Sequence, residues 1–341
     1  MDMVENRKDE HLEINRSRDV TSSISTGFEK YTFVHEALPE ITLEDVRTDV
    51  KFLGKSIRIP LLISSMTGGT EKGDQVNLHL AEAANASGIA MGVGSQRAAI
   101  ENRENNIYRS IRQIAPDIPL YANLGAVQLN YGFSIDECRE AVEAIEADAL
   151  ILHLNPLQEA LQPEGQTNFA DLCGKIEGVC KRLVVPVIVK EVGWGISPTT
   201  AQRLYDAGVS AIDVAGAGGT SWSEVEKHRS QNDSQYRIAG LFRDWGIPTA
   251  EAVKEIRAHL PEFPLVASGG ITNGVEVAKA LALGANLAGI ARPFLIAASN
   301  STEAVILKIK EIQQELMITM FAVGAGDIKS LSNIKLKNRA A

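Results

Sequence analysis

A (β/α)8 TIM barrel of the α/β class, with an N-terminal extension and a long insertion after its sixth strand, is the fold this 341-residue sequence predicts. Three observations carry the prediction. Eight short aliphatic runs recur along the chain, each closed by glycine or a small polar residue. Amphipathic segments separate them, and continuous apolar strands alternating with helices imply a parallel sheet covered by helices, eight units of which close a barrel. The competing doubly wound open sheet wants a G-x-G-x-x-G turn with an acidic partner, and the first strand-to-helix turn has none.

The predicted strands are, in order, 61–64, 88–91, 120–123, 149–153, 186–190, 211–214, 265–268 and 287–290. Between the first two, residues 75–87 keep Val76, Leu80, Ala83 and Ala84 on one helical face, with Gly88 as the stop. Between the last two, residues 274–283 keep Val277, Leu281 and Ala282 together, with Gly284 as the stop. The barrel is expected over 56–325. Residues 1–55 form a polar extension read as a clasp for the mouth of the barrel, and 219–246 a charged insertion expected to be a lid or an unordered loop rather than a packed element. After about Asn300 an amphipathic helix leads to a tail, 326–341, whose basic residues Lys329 to Arg339 are expected to be frayed and solvated.

Composition narrows the function. A 45% hydrophobic content is enough for a large core. A formal net charge of −9 argues against a nucleic-acid binder, which needs a basic patch. Cys138, Cys173 and Cys180 are too few and too odd in number for a disulfide framework and are read as reduced, buried packing residues. No apolar run reaches the roughly 18 to 20 residues of a membrane helix, and the first residues lack a signal peptide's apolar core. The expectation is a soluble, unprocessed, cytoplasmic protein with no nucleic-acid or membrane partner.

In such a barrel the chemistry sits at the C-terminal ends of the strands. Ser64-Ser65-Met66-Thr67-Gly68-Gly69 follows the first, where the glycines let backbone approach a flat ligand and the hydroxyls can bond its edge. Arg97, after Gly94-Ser95-Gln96, offers a fork of donors suited to phosphate. Asn123 ends the third strand, and a buried carboxamide there needs partners, which a polar ring ligand would supply. His153-Leu154-Asn155-Pro156-Leu157-Gln158-Glu159 gathers an imidazole, two carboxamides and a carboxylate where the fourth strand hands over to a loop. Lys190 ends a buried strand, and a buried ammonium must meet negative charge or lose its proton. Three roles are open to it: a Schiff-base lysine, the partner of an anionic cofactor, or a structural pair with Glu191 or Asp213. Glycine-rich segments follow the sixth, seventh and eighth strands, at 215–220, Ser268-Gly269-Gly270-Ile271-Thr272 and Gly289-Ile290-Ala291-Arg292. The last two stand where barrels hold a phosphate on converging backbone N–H groups.

Taken in order, these segments resemble the type 2, flavin-dependent isopentenyl diphosphate isomerases, from near the N-terminus to about residue 295. The matching runs are Arg7-Lys8-Asp9-Glu10-His11, Met66-Thr67-Gly68-Gly69, Gly94-Ser95-Gln96-Arg97, Asn123-Leu124-Gly125, His153-Leu154-Asn155 with Gln158-Glu159, Val189-Lys190-Glu191, Gly218-Gly219-Thr220 and Ser268-Gly269-Gly270. The resemblance implies an FMN barrel, active with reduced flavin, that uses Mg²⁺ to interconvert isopentenyl and dimethylallyl diphosphate and draws on NADPH or another reductant to reduce the flavin. It assigns FMN contacts to Ser65, Met66, Thr67, Gly68, Ser95, Asn123, Lys190, Thr220, Gly269, Gly270, Ala291 and Arg292. It assigns the substrate to Arg7, Lys8, Ser95, Arg97 and Gln158, the metal to Glu159, and catalytic roles to Lys190, His153 and Gln158. Lys190 would stand against the anionic reduced flavin, whose ring edge would act as acid and base; His153 is the alternative proton shuttle. The resemblance also implies a homo-oligomer, a tetramer or larger. An FMN-dependent 2-hydroxy acid oxidase would share the barrel, but it would want a histidine base and an arginine after the seventh strand, where this chain has Ala267-Ser268-Gly269-Gly270. A non-catalytic flavin-binding relative is the remaining rival.

Overall fold

All eight apolar runs become strands, because residues buried on both faces of a sheet need no alternation of polar and apolar side chains. In a computed structural model that describes residues 3–66, 71–102 and 106–339, without the side chains of 3–9, 71–72 and 106, the strands are β1 (Leu61–Ile63), β2 (Ala90–Gly92), β3 (Leu120–Gly125), β4 (Ala149–His153), β5 (Val187–Lys190), β6 (Ala211–Asp213), β7 (Leu265–Ser268) and β8 (Leu287–Ile290). Each pairs in parallel with the next, and β8 pairs with β1, so the sheet closes and has no edge. The chain is therefore a (β/α)8 barrel.

The helices that position the site are α1 (Met3–Ser17), α2 (Glu71–Ser87), α3 (Pro156–Leu161), α4 (Trp222–Arg229), α5 (Asp233–Gly240), α6 (Gly274–Ala282), α7 (Arg292–Ala298) and α8 (Thr302–Ala322). Each starts or stops for a local reason. Asn273 caps α6 by accepting from the Glu276 N–H at 2.9 Å. Gly88, just past α2, has φ +69, a conformation most L side chains avoid. Gly274 opens α6 against α8 so closely that a Cβ there would lie 2.3 Å from the Ile312 carbonyl oxygen.

The bottom of the barrel is closed by a hairpin, Val50–Phe52 with Lys55–Ile57. Phe52 and Ile57 pack against inward residues of the strands, among them Leu62, Tyr121, Ile151 and Val266. Lys55 anchors the hairpin to Asp148 at 2.7 Å. The boundary expected at residue 55 thus falls inside a structural unit, and the extension is more than a clasp: it runs from α1 at the mouth, past the buried Val20 and Phe28, to this plug at the far end.

Two further expectations are corrected. Residues 219–246 are not an unordered loop: they hold α4 and α5, with Val225 fully buried and Glu224 and Glu226 only 3% exposed. Ser22 N–H and Ser221 N–H bond the carbonyls of Gly219 and Val20, each at 2.8 Å, stitching the N-terminal segment to the start of the insertion. The tail is not frayed either. Leu331 is fully buried, and Lys337–Asn338 pairs antiparallel with Tyr31–Thr32. All three cysteines are free, but only Cys138 is fully buried; Cys173 and Cys180 are half-buried.

Candidate active site

Strand register sets the site. Gly125, His153, Lys190 and Asp213 are partners on consecutive strands, so β3 to β6 present them side by side at the C-terminal mouth. Above them opens a cavity of about 650 Å³, within the usual range for small-molecule sites.

His153 is held by a relay of carboxamides. Gln96 Oε1 accepts from the Asn123 N–H at 3.0 Å, Asn123 Nδ2 donates to the Val93 carbonyl at 3.1 Å, and Asn123 Oδ1 lies 2.9 Å from His153 Nδ1. With that oxygen accepting, the imidazole proton is on Nδ1 and Nε2 keeps its lone pair. Burial, with the Lys190 charge beside it, holds the His153 pKa down at about 3, so the ring is neutral. Asn123 therefore finds its partners inside the protein rather than waiting for a ring ligand.

Lys190 makes neither of the ion pairs open to it as a structural residue. Its ammonium donates to the Glu191 carbonyl oxygen at 2.5 Å, while Glu191 Oε2 accepts three backbone N–H bonds, from Val192, Gly193 and Trp194, at 2.6 to 2.7 Å. Burial nonetheless lifts the Glu191 pKa to about 7, against those bonds and the nearby lysine. Asp213 is also pushed upward by burial, outweighing the attraction of Lys190 and the bond from Ser268 Oγ at 2.5 Å. Its second oxygen, Oδ2, is buried without a hydrogen-bond partner among the described residues. The lysine is thus a buried cation with room for an anionic ligand.

The loop after β4 offers hard oxygen donors. Glu159 Oε1 accepts from Asn155 Nδ2 at 2.9 Å, and Oε2 from the Gln166 N–H at 2.6 Å. Asn155 Oδ1 is buried and unpartnered among the described residues. One carboxylate and one free amide oxygen suit Mg²⁺, which takes few protein ligands and fills the rest with phosphate oxygens and water. Among the described residues no group of three or more His, Cys, Asp or Glu could form a self-sufficient cage.

Opposite this loop the walls are backbone. Gly218, Gly269 and Gly270 have φ of +121, +107 and +75, and a Cβ on Gly269 would stand 2.1 Å from the Gly216 carbonyl oxygen. The loops after β6 and β7 can meet here only as glycine. The Ser64 and Ser65 hydroxyls and Arg292 Nε are buried and unpartnered among the described residues. Gly289 and Gly92 leave the space beside those hydroxyls, since a Cβ on either would come within 2.6 Å of one of them. Orphaned donors and bare backbone on one wall fit a polar, flat, phosphorylated ligand such as FMN.

Residues 155–338 match the family model for FMN-dependent dehydrogenases. Over 331 residues the chain is 48% identical to the isopentenyl-diphosphate delta-isomerase of Rickettsia africae, covering 97% of both chains. It is 49% identical to the enzyme of the same name from a Nostoc species, covering 96% of this chain and 94% of that one. The chain belongs to the isopentenyl-diphosphate delta-isomerase family. Within it, the FMN-dependent domain makes it a type 2 member. A lactate oxidase of Pediococcus acidilactici (TM-score 0.68, 19% identity, 97% and 87% coverage) and a mandelate oxidase (TM-score 0.69, 19% identity, 99% and 98% coverage) share its fold.

In this isomerase-family barrel the residues singled out from sequence converge. Ser65, Met66, Ser95, Arg97, Asn123, His153, Gln158, Glu159, Lys190, Thr220, Gly269, Gly270, Ala291 and Arg292 all line the one cavity. Thr67 and Gly68 lie outside the described residues. Arg7 and Lys8 are in α1, but their side chains are likewise outside the description. Arg97 has part of its fork engaged, with Nε on Glu101 at 2.8 Å and Nη1 on Gln166 at 3.1 Å. Sequence reasoning missed His11, Asn155, Trp222 and Glu226 as site residues. His11 Nε2 lies 2.9 Å from Glu226 Oε1, and its ring meets Trp222 edge-on at 5.1 Å. Glu226 had looked like one more solvated charge of the insertion; only its burial marks it out.

Proposed function

We propose that the chain interconverts isopentenyl and dimethylallyl diphosphate in isoprenoid biosynthesis, with reduced FMN, with Mg²⁺, and with NADPH as the source of electrons for the flavin. The observation that carries this reading is one cavity that joins a buried lysine, a neutral histidine and the hydrogen-bonded Asn155 and Glu159, in a chain nearly half identical to enzymes named for that reaction. Isomerisation moves a double bond by adding a proton to the terminal alkene carbon and removing one from C2, so no electrons are consumed. Reduced FMN supplies the acid and base chemistry at its ring edge.

The chain's own residues do the rest. Glu159 and Asn155 Oδ1 would hold Mg²⁺ against the diphosphate, and Arg97 and Gln158 would hold the oxygens the metal leaves. Lys190 would place positive charge where the reduced cofactor is negative, and its burial strengthens the attraction. His153 stays uncharged: a protonated imidazole beside the positive charge that develops on the substrate would raise the barrier, and the low pKa prevents it. The Asn123 bond fixes the ring in place. The same reading carries a homo-oligomer, tetramer or larger, in the cytoplasm.

The test is anaerobic incubation with isopentenyl diphosphate, FMN, NADPH and Mg²⁺, following dimethylallyl diphosphate by proton NMR while each component is left out in turn. Product is expected only with reduced flavin and metal together. Tight flavin binding with no product would leave an inactive relative. A His153→Asn variant that keeps the full rate would remove the imidazole from proton transfer.

A further inference from the structure

Arg229 stands where three separate pieces of the mouth meet. Its Nε donates to Glu10 Oε2 on α1 at 3.0 Å, its Nη1 to Glu226 Oε2 on its own helix α4 at 2.7 Å, and its Nη2 to Glu164 Oε1 in the loop after α3 at 3.0 Å. It is not among the residues lining the cavity. The guanidinium spreads its donors over three nitrogens in one rigid plane, so each carboxylate here is met by a different nitrogen.

Glu226 also receives His11 of α1 on its other oxygen. Burial works to raise the Glu226 pKa, but the His11 bond and the charge of Arg229 overcome it and hold the carboxylate below its usual range. Without Arg229, three carboxylates would face each other beside a site proposed to take a diphosphate, one of them buried, and an uncompensated buried charge is strongly destabilising. Relief would come at α1, whose Glu10 is half-exposed. Arg7 and Lys8 precede Glu10 and His11 on that helix by three residues each, so wherever Glu10 and His11 are moored, the two cations follow one turn away.

We propose that Arg229 is a positioning residue: it moors α1, the helix that carries Arg7 and Lys8 in its sequence, over the mouth, and so sets how tightly the site takes the diphosphate. This rests on the function proposed above. The test uses the FMN-loaded protein and three variants, Arg229→Gln, Glu10→Gln and the double. The dissociation constant for inorganic pyrophosphate with Mg²⁺ is measured by calorimetry, the FMN dissociation constant by fluorescence, and kcat and KM with isopentenyl diphosphate. Arg229→Gln is expected to weaken pyrophosphate and raise KM roughly tenfold, with kcat changed less and FMN binding unchanged, and the double variant to be no worse than Arg229→Gln alone. Additive losses, an unchanged pyrophosphate constant, or FMN weakened in equal measure would overturn it. If Arg229→Gln does not fold, Glu10→Gln, a change on a half-exposed side chain, decides alone: it must weaken pyrophosphate without touching FMN. A wild-type protein that binds pyrophosphate but makes no product would sink the isomerase reading while the pyrophosphate measurements still judge the mooring.

Discussion

Two rungs of the same barrel, one directly above the other, are built from opposite chemistry. The lower rung contains Leu62, Tyr121, Ile151, Ile188, Ala211 and Val266, buried under the hairpin residues Phe52 and Ile57. Two residues further along each of those strands come Ser64, Asn123, His153, Lys190, Asp213 and Ser268. Successive side chains of a strand alternate faces, so both sets point inward, roughly 7 Å apart along the strand. The lower set is a packed plug; the upper set holds buried hydroxyls, amides and charges, several of them short of partners. Stability and chemistry are therefore separated by a single period of the strand, and a ligand seated on the upper rung stands on a floor that does not have to move.

That separation can be broken from below. Phe52→Ala removes the largest side chain of the hairpin plug, and a loss of about 3–5 kcal/mol of stability is expected in denaturant unfolding, with the FMN dissociation constant unchanged. Flavin binding falling in step would mean that the rungs are coupled. A second effect belongs to the upper rung and depends on pH. The folded pKa of Glu191, about 7, exceeds the unfolded value of 4.5, so the native chain keeps a proton the unfolded chain loses. The contribution is fully present below pH 4.5 and is lost as pH rises to about 7. Relative to Glu191→Gln, the wild type should lose about 3 kcal/mol between pH 4 and pH 8; parallel curves for the two would show that folding does not shift the carboxyl's pKa.

Lys190→Gln should lower kcat on the order of 100-fold while moving KM for the diphosphate little, because the interaction it removes is with the cofactor. Equal losses in both would tie the lysine to the substrate instead. The smallest effect tests the one polar atom on the lower rung. The Tyr121 hydroxyl is buried with no partner among the described residues, so Tyr121→Phe should leave the protein as stable or more stable by about 1 kcal/mol. A clear loss would reveal a bond to a buried water.

The strands were legible because each is a short, wholly apolar run with a small residue at its end, and the upper rung was legible as the polar residue that ends it. His153 and Lys190 stood out since nothing about a buried strand calls for them. The insertion was not legible. Glu224 and Glu226 have partners at helical spacing, Lys227 and Arg229, but that spacing suits an exposed helix face as well; their burial, and the contact of Glu226 with His11 far back in the chain, have no local pattern. Asn123 was given the need for a partner but not the partner, which is His153, thirty positions on. The tail's two-residue strand has no periodicity to read; its order comes from Tyr31–Thr32 at the other end of the sequence.

Closing the barrel by pairing Leu62 with Gly289, and then the tail with residues 31–32, also sets a schedule for synthesis. A chain growing from its N-terminus offers β1 an unpaired side until β8 has been made, and leaves Tyr31–Thr32 without its neighbour until Lys337–Asn338 has been joined. Contacts between such distant positions form slowly, and open strand edges invite pairing with other chains. The nascent barrel thus carries an open, adhesive seam until its eighth strand has been made.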